Sequence, residues 1–556
     1  MRCGLFDENL MRLTQLAPEV ALAVRLAEGW GYPPLEELAC DEGFVQGDSD
    51  WLAIFGMARL GEAALNWLAS REKRRLLFVE ADVERIAAWL SAHESARLLE
   101  GGRVEFVIAS GELEPLRSFA LRHLGLKGCV VVTDGFKERH PELAREGPSE
   151  LLGASESLSR IEGEFLREGR LFYSNFYRNF FLLQGLCLAS TLKERFAGVP
   201  AVICGSGPSL PKELEPLRGI QERALIFAAG SAINILREGG ITPHFFGACD
   251  PHPFQYQRVV LADAYEVALL FSGRWNHEAH KLWHGPRLLV SGEGGYPIAG
   301  WLEEEVGIGG SDLQDTGRNV AHLCLSMAEE FGCNPIIFVG MDLAYTGGKS
   351  YGDGVLLGES EQDLVESRQE SESIPARDIF GMEVMTHPQW LAESGWISHF
   401  ARGHSETRLI NATGGGIGFQ GVENLPFEQV VGERLNRCYP LRQMVHAAIQ
   451  EGVTSVSREP LLKALLKLEA SLSRAEALLR EWVARPHERV MELLFEVELG
   501  EELCYELILE GPDRLFKASH ADLDDRPSRP LFLLRSVQTN LELLRAARDE
   551  YEQHLP

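Results

Sequence analysis

Five residues, Gly205-Ser206-Gly207-Pro208-Ser209, break directly out of the apolar run Ala201 to Cys204, and their types suit the holding of a phosphate. Two glycines remove side chains where backbone must come close to something, and Pro208 followed by Ser209 fits the opening of a helix. A turn of this kind offers backbone N–H groups and the positive end of a helix dipole to an anion. The same turn also occurs without a ligand as a plain strand-to-helix connection, so the pattern leaves both readings open. Three later apolar runs end on polar residues in the same manner, at Gly230-Ser231, at Asp250 and at Asp342. Each alone is a cap or a turn; four on one edge of a sheet would line a ligand cleft.

The elements that must bring these residues together read as alternating strands and helices. Apolar runs at residues 201–204, 224–228, 244–248, 267–271, 287–290 and 335–339 are separated by helical stretches. That alternation predicts a doubly wound, mostly parallel sheet over residues 199–432. Residues 1–165 read as a smaller, Rossmann-like α/β domain, with strands at 51–56, 75–80, 104–108 and 129–133. Gly56 to Glu80 has the layout of a nucleotide-binding βαβ unit with Glu80 placed for ribose hydroxyls, but Ala58 stands where that fingerprint has its middle glycine. A cofactor site and a structural relic are both open there.

Residues 166–198 read as a connecting helix, since Phe172, Phe176 and Phe180 recur at four-residue spacing, as do Tyr173, Tyr177 and Phe181. Such an aromatic stripe predicts packing between domains. Residues 433–556 read as an α-helical domain. Its seam of Leu465, Leu468, Leu472, Ala475 and Leu479 either packs on the same chain or pairs with a second copy, so an oligomer through these helices is open. The acidic stretch 358–372 reads as a solvated loop or surface helix, with a lid as the alternative.

Composition narrows the partners. At 556 residues the chain exceeds what one core fills. No apolar run reaches the ~20 residues of a membrane helix, and the first residues lack the apolar core of a secretion signal. Ten cysteines are scattered without a C-x-x-C pair, so neither zinc nor disulfides are expected and a reducing cytoplasm fits. A net charge of −28 repels nucleic acid and anionic membranes. An anionic small ligand would need a local positive pocket, which a helix N-terminus provides.

With these pieces in order, the central region resembles the motility-associated factor (Maf) glycosyltransferases, which share a domain with the archaeal-type 6-hydroxymethyl-dihydropterin diphosphokinases (MptE-like). Five ordered segments carry the resemblance: 204–210 around the glycine turn, 228–233, 239–244, the run Phe338 to Lys349, and Ile410 to Gly416. The N-terminal region is similar through Ile54-Phe55-Gly56 and Leu77 to Asp82. The resemblance covers most of the chain and is weakest after about residue 435. A looser similarity to bacterial sialyltransferases that use CMP-activated nine-carbon acids rests on Gly205 to Leu210, on Asp315-Thr316-Gly317 and on Gly340-Met341-Asp342.

The resemblance implies transfer of a nonulosonic acid (sialic, pseudaminic or legionaminic type) from its CMP donor to a serine or threonine hydroxyl of flagellin or another surface protein, with no cofactor required. It assigns the leaving CMP to Gly205, Ser206, Gly207, Pro208 and Ser209, with Gly230 and Ser231 beside the ribose or base. A second set of donors would be Thr316, Gly317 and Arg318. His387, opening a helix, is the candidate base for the acceptor hydroxyl. The family pattern often places Thr-His where this chain has Ser350-Tyr351, which puts a base at 351 in doubt. Asp342 is a catalytic candidate together with His387; Asp250 and Asp342 would bind ribose or amine groups, or orient Lys349, and in a diphosphokinase would hold Mg²⁺ on ATP. Tyr345, Thr346 and Lys349 belong to the strand-end loop, and Asn411 and Thr413 to a loop that passes close to ligand or to backbone. The diphosphokinase reading is the alternative, against which stand the flanking domains and the lack of basic residues near Gly205. A non-catalytic nucleotide-sugar-binding protein is the third reading.

Overall fold

The apolar runs of the middle region form strands of one sheet. The structure, a computed structural model, describes residues 4–26, 35–38, 49–60, 62–71, 74–91, 98–99, 103–109, 116, 119–120, 128–182, 186–292, 296–308, 319–355, 357, 359–454, 458–485, 489–519 and 528–553. Two units are distinct: Met1–Arg167 with Gly511–Arg529, and Glu168–Glu510 with Pro530–Pro556.

In the first unit, four parallel strands lie in the order Val104–Ile108, Arg75–Glu80, Trp51–Phe55, Gly128–Val132. Trp51, Leu52, Ala53, Ile54 and Phe55 are all buried, as a strand covered on both faces requires. Glu80 is also buried, and its carboxylate turns back into the fold. Its Oε2 accepts from the Met57 N–H at 2.9 Å and its Oε1 from the Ala81 N–H at 2.9 Å and the Asp82 N–H at 3.1 Å. The acid that the sequence places on a ribose thus holds the turn itself.

The second unit is built on ten strands in the order Glu423–Asn424, Leu409–Asn411, Ile336–Val339, Ala201–Cys204, Leu225–Ala229, Phe245–Ala248, Ala268–Phe271, Arg287–Leu289, Leu186–Leu188, Val453–Thr454. All neighbouring pairs are parallel except the last. The fold is therefore α/β with a doubly wound, mostly parallel sheet, as the alternation of runs requires. From Ala201–Cys204 the chain winds outward in one direction through Arg287–Leu289, then returns to place Ile336–Val339 on the other side. That reversal is the topological switch point of the sheet.

Two expectations need correction. In the segment 166–198 the α-helix Pro141–Phe180 ends at Phe180; Leu186–Leu188 is a strand of the large sheet and Ala189–Leu192 a 3-10 turn. Its aromatic stripe packs within the second unit: Phe172 stacks on Tyr296 at 3.7 Å between ring centres, and Phe181 on Tyr551 at 4.4 Å. The C-terminal helices also do not form a unit of their own. Those up to Glu510 and from Pro530 belong with the sheet, and Gly511–Arg529 belongs with the first unit. Leu465, Leu468, Leu472, Ala475 and Leu479 are buried, so that seam is consumed by packing inside the chain. Among the described residues no helix is long and apolar enough to cross a membrane.

Candidate functional site

The switch point brings the glycine turn after Ala201–Cys204 against the end of Ile336–Val339. The Gly205 N–H donates to the Val339 carbonyl at 2.9 Å and the Gly207 N–H to the Gly340 carbonyl at 2.8 Å. A Cβ on either glycine would overlap Gly340 O and the side chain of Met341 or Asp342. The absence of side chains here serves the joining of two backbones. Of the N–H groups the sequence offers to a phosphate, those of Gly205 and Gly207 are therefore used internally, and Pro208 has none. Ser206, half-buried, keeps its N–H without a protein partner among the described residues.

Asp342 is the centre of the arrangement. It is 1% exposed, and its Oδ2 accepts from the Ser209 hydroxyl at 2.6 Å and the Ser209 N–H at 3.3 Å. Among the described residues its buried Oδ1 has no hydrogen-bond partner, and neither has the buried Thr346 Oγ1. Both atoms border Gly415: a Cβ built there would lie 3.5 Å from Asp342 Oδ1 and 3.6 Å from Thr346 Oγ1. Two buried polar atoms left unsatisfied against a glycine loop are costly unless a donor reaches them. Ligand hydroxyl or amine groups are such donors.

The loop Gly414–Gly416 is held in place from below. Asn411 and Thr413 are buried; Asn411 Nδ2 donates to Asn424 Oδ1 at 2.7 Å, Asn411 Oδ1 accepts from the Thr413 N–H at 3.2 Å, and Thr413 Oγ1 accepts from the Met341 N–H at 3.1 Å. These two side chains position the loop. Gly416 has φ +76° and a Cβ there would strike the Asp342 carbonyl, so only glycine fits. Burial, then the charge of Glu428, pushes the Glu213 carboxyl up beside the same loop.

Around this centre the other candidates divide. Gly230 turns with φ +53° and Ser231 is buried at the helix Ala232–Glu238, with no side-chain capping bond. Asp250 caps its own loop: Oδ1 accepts from the His252 N–H at 2.9 Å and Oδ2 from Gln255 Nε2 at 2.8 Å. Lys349 is exposed and pairs with Asp353 at 2.6 Å. The buried Tyr345 donates its N–H to the Met385 carbonyl at 2.8 Å and packs on Trp390. Tyr351 lies in a strap whose Gly352 N–H donates to the Ser206 carbonyl at 2.8 Å. Thr316, Gly317 and Arg318 lie outside the described residues.

His387 is the N-cap of the helix Pro388–Gly403, and its Nδ1 accepts the Gln389 N–H at 3.1 Å. That bond places the ring proton on Nε2 in the neutral form. In this pose the imidazole is a donor at Nε2, and a base there only after the cap is released. The thiols of Cys204 and Cys324 are pushed far up by burial and are not nucleophiles.

Two features were not singled out in the sequence, and neither carried a signal there. Arg274 brings a cation to this sheet edge, its Nε donating to the Cys249 carbonyl at 3.1 Å. Glu393, buried, accepts from Asn319 Nδ2 at 2.7 Å and Gln389 Nε2 at 2.9 Å. The acidic stretch forms the helix Glu359–Glu372, held by a buried ion pair from Glu361 to Arg258 and by Gln369 Nε2 on the Gly348 carbonyl at 3.2 Å. Of the two readings of that stretch, solvated loop or surface helix, the helix is the one found. Asp250 and Asp342 belong to no group of three clustered metal-ligand atoms among the described residues. The group that exists is Glu80, Asp82 and His140 in the first unit, where Arg139 pairs with both acids.

Comparison with known proteins agrees with this fold. Residues 174–348 match the family model of the 6-hydroxymethylpterin diphosphokinase MptE-like domain. The solved MAf glycosyltransferase from Magnetospirillum magneticum AMB-1 superposes with a TM-score of 0.56 and 14% identity, over 99% of this chain and 96% of that one. An uncharacterized protein of Treponema pallidum (strain Nichols) is 39% identical over 56 residues, 10% of this chain, and the chain spans about a quarter of that relative's length, 27%. The chain therefore shares the fold of that MAf glycosyltransferase, and residues 174–348 of its second unit match the MptE-like domain.

Proposed function

We propose that the chain is a glycosyltransferase that moves a nonulosonic acid from a CMP donor to a serine or threonine hydroxyl of a protein, flagellin or another surface protein, in the cytoplasm. The observation that carries this reading is the buried, half-satisfied Asp342 at the switch point of a Maf-type fold. Asp342 Oδ1 and Thr346 Oγ1 accept hydroxyl or amine groups of the donor. The Ser206 N–H faces the charge that develops as CMP leaves. The sugar's bond to the phosphate oxygen breaks, a bond to the acceptor oxygen forms, and the acceptor proton passes to a base. His387 takes that role only if ligand binding frees its ring from the cap.

The MptE-like match over residues 174–348 favours a second reading, in which the pterin hydroxymethyl oxygen takes pyrophosphate from ATP and AMP leaves, with Asp250 and Asp342 as the residues that would hold Mg²⁺. A thermal-shift series with CMP, ATP plus Mg²⁺, and GTP separates the two. Stabilisation by CMP without metal supports the transferase. Stabilisation by ATP plus Mg²⁺ alone overturns it in favour of the kinase.

A further inference from the structure

Transfer needs a group that takes the acceptor proton, and His387 Nδ1 is held in its helix cap. A carboxylate on the glycine loop is not held. Glu213 ends the 3-10 turn Leu210–Glu213 that follows Ser209, and it is the N-cap of the helix Leu214–Arg218. An acid at that position ordinarily turns back to accept from the first N–H groups of its helix. Glu213 makes no capping bond, and among the described residues its carboxylate has no hydrogen-bond partner. It borders the loop Gly414–Gly416 instead: a Cβ built on Gly414 would lie 3.6 Å from Glu213 Oε1 and 3.7 Å from Ser209 Cβ. The next residue, Gly415, borders the unsatisfied Asp342 Oδ1. Asp342 is 1% exposed whereas Glu213 is half-buried, so Glu213 is the acid on this loop that an incoming hydroxyl can reach.

On the transferase reading proposed for the chain, we infer that Glu213 is the general base. Its carboxylate takes the proton of the acceptor hydroxyl while that oxygen bonds to the sugar, and CMP leaves with the electron pair of the broken bond. The proton then passes from Glu213 to water. A carboxylate without hydrogen-bond donors, partly withdrawn from water, is a stronger base than a solvated one. Burial, then the charge of Glu428, push the Glu213 carboxyl up, and Lys212 opposes them. Glu428 comes from the helix Phe427–Arg434, which packs on Leu214–Arg218, and Lys212 from Glu213's own turn.

The test is transfer by the full chain, followed against pH, from CMP-activated sialic, pseudaminic and legionaminic acids to unmodified flagellin. The wild-type rate should fall on the acid side as Glu213 takes up its proton. Glu213→Gln should lower kcat by about a hundredfold or more and leave KM for the donor and the CMP thermal shift unchanged, a split that misfolding cannot mimic. Glu428→Gln should move the acid limb to lower pH and Lys212→Met should move it to higher pH, each with the plateau rate kept, both side chains being exposed. A wild-type chain that transfers none of these donors overturns the transferase reading and the role of Glu213 together. Transfer that survives Glu213→Gln, or an acid limb indifferent to Glu428→Gln and Lys212→Met, overturns the role of Glu213 alone.

Discussion

The Ser209 hydroxyl donates to Asp342 Oδ2 at 2.6 Å, and this contact ties together the two strand ends on either side of the switch point. Ser209→Ala leaves that oxygen with the weaker Ser209 N–H alone. The expected cost is about 1–3 kcal/mol, the range for a buried charged acceptor losing its donor. A lowered urea midpoint measures it, and any CMP-induced thermal shift should fall in parallel. An unchanged midpoint would mean that the pair contributes nothing to stability.

Glycine substitutions separate close approach from simple backbone freedom. Gly416→Ala meets both a positive φ of +76° and the Asp342 carbonyl, whereas Gly240→Ala meets a φ of +70° with nothing within 4 Å. Gly240→Ala should cost about 1 kcal/mol of backbone strain, and Gly416→Ala several times that, through the added overlap. Comparable melting temperatures for the two would show that the Gly416 contact relaxes freely.

For His387 the cap and the catalytic role come apart in a pair of variants. His387→Ala loses the acceptor for the Gln389 N–H, at about 1 kcal/mol of helix stability, while His387→Asn keeps a good N-cap without an imidazole. If the ring takes part in transfer, both variants lose activity by about a hundredfold or more. Activity restored by asparagine would leave His387 a capping residue only.

Acid should destabilise the second unit well above the carboxylate range. Burial, with Arg442 nearby, lowers His244 to about 4. Burial likewise lowers His277 to about 4 against the opposing pull of Glu550 and Glu278, and it lowers His280 well below its ordinary value. These rings are neutral in the fold and bind protons on unfolding, so their contribution is intact above pH 6.5 and is lost as pH falls toward 4. Stability should drop by at least about 3 kcal/mol over that window, on the ~1.4 kcal/mol that each pKa unit represents. Melting curves at pH 7 and pH 4.5 check this. Replacing His244 with glutamine should flatten part of the slope.

The sheet was legible because a strand buried on both faces is a continuous apolar run, and six such runs stand out from residue 201 to 339. Leu186–Leu188, Leu409–Asn411 and Val453–Thr454 were not legible, since two or three residues are too short to show a period. At the site, Asp342 and Ser209 could be picked out by type and by their places at strand ends. What each does with its neighbours could not be read. Whether a glycine N–H faces solvent or the Gly340 carbonyl depends on a strand more than a hundred residues away. The same holds for Glu80, whose turn toward Met57 depends on the cross-strand geometry of two separate runs. The His387 cap was foreseeable in its helix-opening position, but the ring tautomer follows only from the bond to Gln389.

Gly511–Arg529 belongs with Met1–Arg167, and its buried Asp513 is gripped by Arg529 through both oxygens, at 2.6 and 2.8 Å. The first unit is thus discontinuous in the chain. During synthesis its amino-terminal part must wait for its final piece while the residues between are made, about 20–70 s at common elongation rates. The ribosome therefore delivers every strand of the large sheet before the smaller unit can close, and the last helix of the larger unit follows only after that.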